Sequence, residues 1–132
     1  MTEYIFDPLR KKRVVLTPEE RVRQSFIMWL NAEKHYSLQL MASECSIIYN
    51  GLNYRCDIVV FDKNINPLII VECKSPNIKI NSETLKQIMK YNLVLKVKYL
   101  IITNGVITFA CKYNEIEEKY DFISDIPCYE IA

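Results

Sequence analysis

Between Pro67 and Pro76 the chain reads LIIVECKS, an apolar, β-branched run fenced by two prolines. A helix needs more room than this, and branched side chains fit a pleated, half-buried surface, so the segment is read as a strand of a covered sheet. Strand side chains alternate faces, which sends Glu72 and Lys74 to the same side as Leu68 and Ile70 and turns Cys73 to the other. An acid and a base therefore meet at the end of an otherwise apolar strand.

The surrounding sequence supplies the rest of that sheet. Thr17-Pro18-Glu19-Glu20 has the form of a capping box, with proline in the first helical position, and predicts a helix to about Glu33. Val22, Phe26, Trp29 and Leu30 form its inward stripe, with Arg21, Gln24 and Lys34 outside or near its edge. His35, in EKHYS, reads as a surface residue. SIIYN (46–50) and YRCDIVVFD (54–62) are strands around Asn50-Gly51, a hairpin with a loop slightly longer than two residues. LIIVECK follows a polar turn at Asp62 to Pro67. Ser82 resembles the cap of a second helix, over Glu83 to about Lys96. KYLIIT (98–103) and VITFACKY (106–113) form another hairpin at Asn104-Gly105. The acidic tail carries one short helix near Ile116 to Phe122. The expected fold class is α/β: one domain over 1–132, core about 16–113, with a mixed β-sheet of about five strands flanked by helices.

Composition narrows the partners. With 17 basic and 16 acidic residues the chain has no overall field to attract a polyanion, so a nucleic acid must be held by a local patch or a metal. Arg10, Lys11, Lys12 and Arg13, continued by Arg21 and Arg23, offer such a patch, and they also read as a solvated basic arm. Five widely spaced cysteines without a CxxC pair favour reduced thiols over disulfides or zinc. No apolar run reaches the roughly 18 residues of a membrane span and no signal peptide is apparent, so a cytoplasmic protein with no membrane partner is expected.

Asp57 stands inside CDIVVF, where a charge is costly unless paired or bound to a cation. Alternation groups it with Arg55, Val59 and Phe61. Counting outward from a turn near residue 64 or 65 sets position 57 opposite position 72. Asp57, Glu72 and the Cys73 carbonyl then form an oxygen cage suited to magnesium or manganese, with Lys74 beside it to orient or activate a water. The alternative is an internal ion pair of Lys74 with Glu72 or Asp57, which leaves one acid over.

The order Asp57, then Glu72-Cys73-Lys74, behind a helix with an early glutamate, resembles the PD-(D/E)xK nuclease superfamily. Within it, LTPEERVRQ, NGLNYRCDIVVFD, PLIIVECKSP, LKQIMKYN and YLIITNG are similar to the N-terminal nuclease domain of type I restriction enzyme R subunits. The resemblance implies a restriction-endonuclease-like core that hydrolyses DNA phosphodiesters, with Asp57 and Glu72 holding Mg2+ or Mn2+ and Lys74 as the catalytic lysine. It makes Gln87 and Tyr91 a QxxxY site motif, although the residues alone fit an exposed helix edge equally. Glu19 is taken as the helix-one site acid, because capping gives Glu20 a sufficient structural task. Arg10, Lys11, Lys12, Arg13 and Arg23 are the expected DNA contacts, and a homodimer or larger restriction-type complex the expected assembly. Cys56 replaces the proline of the superfamily name, and no GxxxxGK[ST] phosphate loop is present. A catalytically silent nucleic-acid-binding or assembly module on the same fold is the competing expectation.

Overall fold

The computed structural model describes residues 1–132. Its elements run β1 (Tyr4–Asp7), β2 (Lys12–Val15), α1 (Pro18–Lys34), β3 (Met41–Tyr49), β4 (Leu52–Phe61), β5 (Pro67–Cys73), α2 (Ser82–Leu93), β6 (Tyr99–Thr103), β7 (Thr108–Asn114) and β8 (Lys119–Ile123). Strands β3 to β8 lie side by side in chain order in one six-stranded sheet, and β1 pairs only with β2. Every neighbouring pair is antiparallel except β5 with β6. That parallel pair needs a crossover, which α2 provides. The fold is α/β with a mixed sheet, one strand larger than the expected five, plus the small β1–β2 hairpin.

Two apolar layers hold the sheet. Ile58, Val60, Ile69, Val71 and Ile101 meet Val22, Phe26, Ile27 and Leu30 of α1. On the other face Val59, Ile70, Leu100 and Ile102 pack with Leu85 of α2. Each such fully buried aliphatic side chain contributes about 1.5–3 kcal/mol, which is why the central strands are apolar on both faces.

Several local expectations shift. Tyr49 pairs with Leu52, so Asn50-Gly51 is a minimal two-residue loop, with φ 51 and 75 as a type I′ turn requires. Asn81, not Ser82, caps α2 through Thr84 N at 2.8 Å, and the helix stops at Leu93. Thr17 does accept from Glu20 N at 3.1 Å, but the Glu20 carboxylate turns to Arg10, Arg23 and Gln24, so half the capping box forms. Gln24 is accordingly buried, while Trp29 lies on the rim of the core. The expected helix at 116–122 is instead a turn followed by β8. Asn114 Oδ1 accepts from Ile116 N and Glu117 N, and Tyr120 is then buried with its hydroxyl donating to Val97 O at 2.6 Å. No helix is long and apolar enough to cross a membrane. All five cysteines are free, with Cys56, Cys73 and Cys111 buried.

Gly105 turns the β6–β7 connection with φ 85, and a Cβ there would lie 3.1 Å from Val22 Cγ2. Gly105→Ala should cost about 1–2 kcal/mol through left-handed strain, with the crowding of α1 adding to it. A thermal melt equal to wild type would contradict this.

Candidate active site

The site begins at an interruption of β4. Cys56 and Val59 both face the α2 layer while Ile58 and Val60 face α1, so strict alternation fails between residues 56 and 59. Opposite the break, Glu44 of β3 is left-handed with φ 51. Asp57 stands in the gap and does not share a face with Val59 and Phe61, contrary to the alternation argument. The β4–β5 ladder pairs Ile58 with Val71 and, continued by one residue, sets Asp57 across from Glu72.

Asp57 is held at both oxygens. Its Oδ2 accepts from Cys73 N at 2.7 Å and its Oδ1 from Arg23 Nη2 at 3.0 Å. Each oxygen keeps another lone pair for a ligand. Arg23, expected to meet nucleic acid, is buried instead: its side chain is 4% exposed and reaches Glu20 at 2.5 Å, Glu44 at 2.8 Å and Glu19 at 3.5 Å. Burial opposes its charge, but Asp57, Glu20 and Glu44 outweigh burial and raise its pKa. Arg10 is likewise turned inward, to Asp7 and Glu20. Lys11, Lys12, Arg13 and Arg21 are the members of the basic patch that remain exposed, with Arg13 5.5 Å from the Tyr4 ring centre.

Glu72 occupies the same electric field. Burial first, then the neighbouring Asp57, raise its pKa to about 7, against the opposing pull of Lys74 and the Asn92 amide. Burial and Asp57 also raise Glu19, offset by Arg23 and Lys74. Lys74 completes no ion pair with either acid within 4.0 Å; the partner of Asp57 is Arg23. The alternative of an internal ion pair for Lys74 is not what forms: Arg23 takes Asp57 instead, and the Lys74 ammonium pairs with neither acid. Oxygens of Glu19, Asp57 and Glu72 do not all come within 4.8 Å of one another. Asp57 and Glu72 are the residues that could hold a hard cation here. A buried acid whose ionisation is opposed by burial and by a neighbouring carboxylate is donor chemistry that a divalent cation relieves, so these residues fit the implied metal.

Gln87 and Tyr91 border a surface that neither Asp57 nor Glu72 lines. Both are exposed and line an open cleft with Leu52, Asn53, Tyr54 and Lys90, where the Tyr54 and Tyr91 rings stand 5.3 Å apart. The α2 residue that acts on Glu72 is Asn92, which is 1% exposed, donates Nδ2 to Ile88 O at 2.9 Å and has no partner for Oδ1. Its signal in the sequence was an asparagine within the apolar stripe of α2. Glu44 gave no such signal.

A family model described as the type I restriction enzyme R protein N terminus matches residues 18–127. A crystal structure of a DUF820 protein from Anabaena variabilis ATCC 29413, proposed to be a nuclease, superposes with a TM-score of 0.55 at 12% identity, covering 99% of this chain and 83% of that one. No curated protein matches.

Proposed function

The chain belongs to the family of type I restriction enzyme R protein N termini, and from that premise we propose that it is a metal-dependent deoxyribonuclease whose site is Asp57, Glu72 and Lys74. The observation that carries this reading is Glu72, a strand-end acid pushed to about 7 by burial and by Asp57 while Lys74 stays unpaired. Asp57 and Glu72 would hold magnesium or manganese. Such an ion, when bound, supplies positive charge to a scissile phosphate oxygen and lowers the pKa of a water.

The chain's own groups do the remaining work. Arg23 and Cys73 N hold Asp57 in one orientation, which spares the reaction the cost of ordering it. Lys74 donates to the attacking water or to the phosphate as negative charge grows. Glu19 adds a partly exposed acid behind the pair. Gln87 and Lys90, with the tilted rings of Tyr54 and Tyr91, offer a DNA strand leaving the site two polar side chains and aromatic surface. Lys11, Lys12 and Arg13 supply phosphate contacts. The five free thiols suit a reducing cytoplasm, and a homodimer or a larger restriction-type complex is the proposed assembly.

The test is incubation of supercoiled, linear and single-stranded DNA with the protein and Mg2+ or Mn2+. Cleavage that stops on chelation supports the reading, and intact DNA in every form overturns it. A silent binding or assembly module is favoured by one observation, that three carboxylates do not close on a point. Calorimetric metal binding without cleavage would select it.

Glu72 also gives a metal-free prediction. Its folded pKa, about 7, lies above the ordinary 4.5. The folded state keeps a proton that the unfolded chain releases, so this contribution to stability is complete below pH 4.5 and is lost as pH rises through about 7. Glu72→Gln, melted with chelator, should be more stable than wild type at pH 8 by about 2 kcal/mol and no different at pH 4. Equal melts at both pH values would contradict the placement of Glu72.

A further inference from the structure

Far from Asp57 along the chain, the end of α1 and the C-terminal segment bring three different ligand types together. His35 Nδ1 or Nε2, Cys128 Sγ and a Glu130 carboxylate oxygen all lie within 4.8 Å of one another. We propose that His35, Cys128 and Glu130 form a second metal site, selective for zinc or a neighbouring transition ion, which fastens the C-terminal segment to α1.

Ligand chemistry separates this site from the acid pair. An imidazole, a thiolate and one carboxylate suit a borderline ion that takes nitrogen and sulfur, whereas Asp57 and Glu72 suit magnesium or manganese. In a tetrahedral zinc site the ligand atoms stand roughly 3.3–3.6 Å apart, so modest side-chain rotations from the observed spacing close the triad. His35 Nδ1 already lies 2.8 Å from Glu130 Oε1, and both side chains are more than half exposed, at 56% and 59%. A hydrated ion can reach them, and water can keep the fourth position.

The backbone on both sides is already fixed. His35 closes α1 in a left-handed conformation, φ 66. Tyr36, 1% exposed, donates its hydroxyl to Pro127 O at 2.6 Å, and Tyr129 N donates to Lys34 O at 2.8 Å. Ile131 N and Ala132 N both donate to Cys128 O, at 3.0 and 3.1 Å, which sets the turn carrying the thiol and the carboxylate. The ion therefore binds groups whose main chain is ordered beforehand, and little conformational entropy is lost.

Cobalt titration of the full chain in excess magnesium tests the site. One equivalent of Co2+ should produce a thiolate-to-cobalt absorption band that zinc abolishes. Cys128→Ser should remove the band, while His35→Ala and Glu130→Gln should weaken binding about tenfold or more. Cys45→Ser should leave it unchanged. Zinc should also raise the Tm of wild type but not of His35→Ala, a readout that stands even if one variant folds poorly. No thiolate band at millimolar cobalt, or an undiminished band in Cys128→Ser, would overturn the proposal, and neither outcome bears on the nuclease reading.

Discussion

Asp57→Ala, Glu72→Ala and Lys74→Ala should each lower the rate of metal-dependent DNA cleavage by at least about 10²-fold, because the first two remove carboxylates proposed to hold the cation and the third removes the donor proposed to meet the developing negative charge. Lys74→Ala is the cleanest of the three. Its ammonium holds no ion pair with Asp57 or Glu72, so its loss leaves the buried network intact, and the melting temperature should hardly move. Asp57→Ala does more, since it also strands Arg23 and the Cys73 amide. Asp57→Asn keeps an acceptor for one of these two donors and turns an amide NH2 toward the other, so it removes the carboxylate charge at a smaller cost to the scaffold than alanine. Comparable activity in the three alanine variants and wild type, measured on one DNA substrate in Mg2+ and Mn2+, would remove the active-site assignment.

The second large effect falls on stability. Arg23→Ala should destabilise the fold by about 3–5 kcal/mol, because it leaves buried Glu20 and the Glu44 and Asp57 carboxylates without their shared cation. For a chain of this size that is a fall in Tm on the order of 10 °C or more. Arg23→Lys should recover only part of it, since one ammonium cannot reproduce a fork that reaches carboxylates on α1, β3 and β4. Lys11→Ala and Lys12→Ala, on exposed side chains, should leave the melt unchanged. An Arg23→Ala protein as stable as wild type would return that arginine to the surface role its neighbours suggest.

These two results divide along what could be read beforehand. The central strands and both helices announce themselves locally, through β-branched runs between prolines and glycines and through apolar repeats of helical period. Counting back from the Asp62 turn places Asp57 opposite Glu72 only to within one residue, because a bulge between Val60 and Phe61 shifts the register: Phe61 pairs with Pro67 but Val60 with Ile69. The hairpin β1–β2 does not announce itself. Its strands are four residues each, and it is tied to the sheet by Asp7, fully buried, which accepts from Ser43 Oγ at 2.6 Å. Burial pushes the Asp7 carboxyl up, but Ser43, Arg10 and Leu9 N outweigh it and bring it to about 2. β8 likewise depends on Tyr120 reaching Val97. Arg23 too depends on contacts distant in sequence. It follows a basic run, and the carboxylates that draw it inward, Asp57, Glu20 and Glu44, come from three different elements, Glu44 being itself left-handed within a strand.

The central claim is that Asp57 and Glu72 hold the catalytic cation. Anomalous diffraction from crystals grown with Mn2+ tests it most directly: the account predicts a manganese peak between the Asp57 and Glu72 carboxylates that is lost in Glu72→Gln. A well-ordered crystal with no peak there, at saturating manganese, would contradict it.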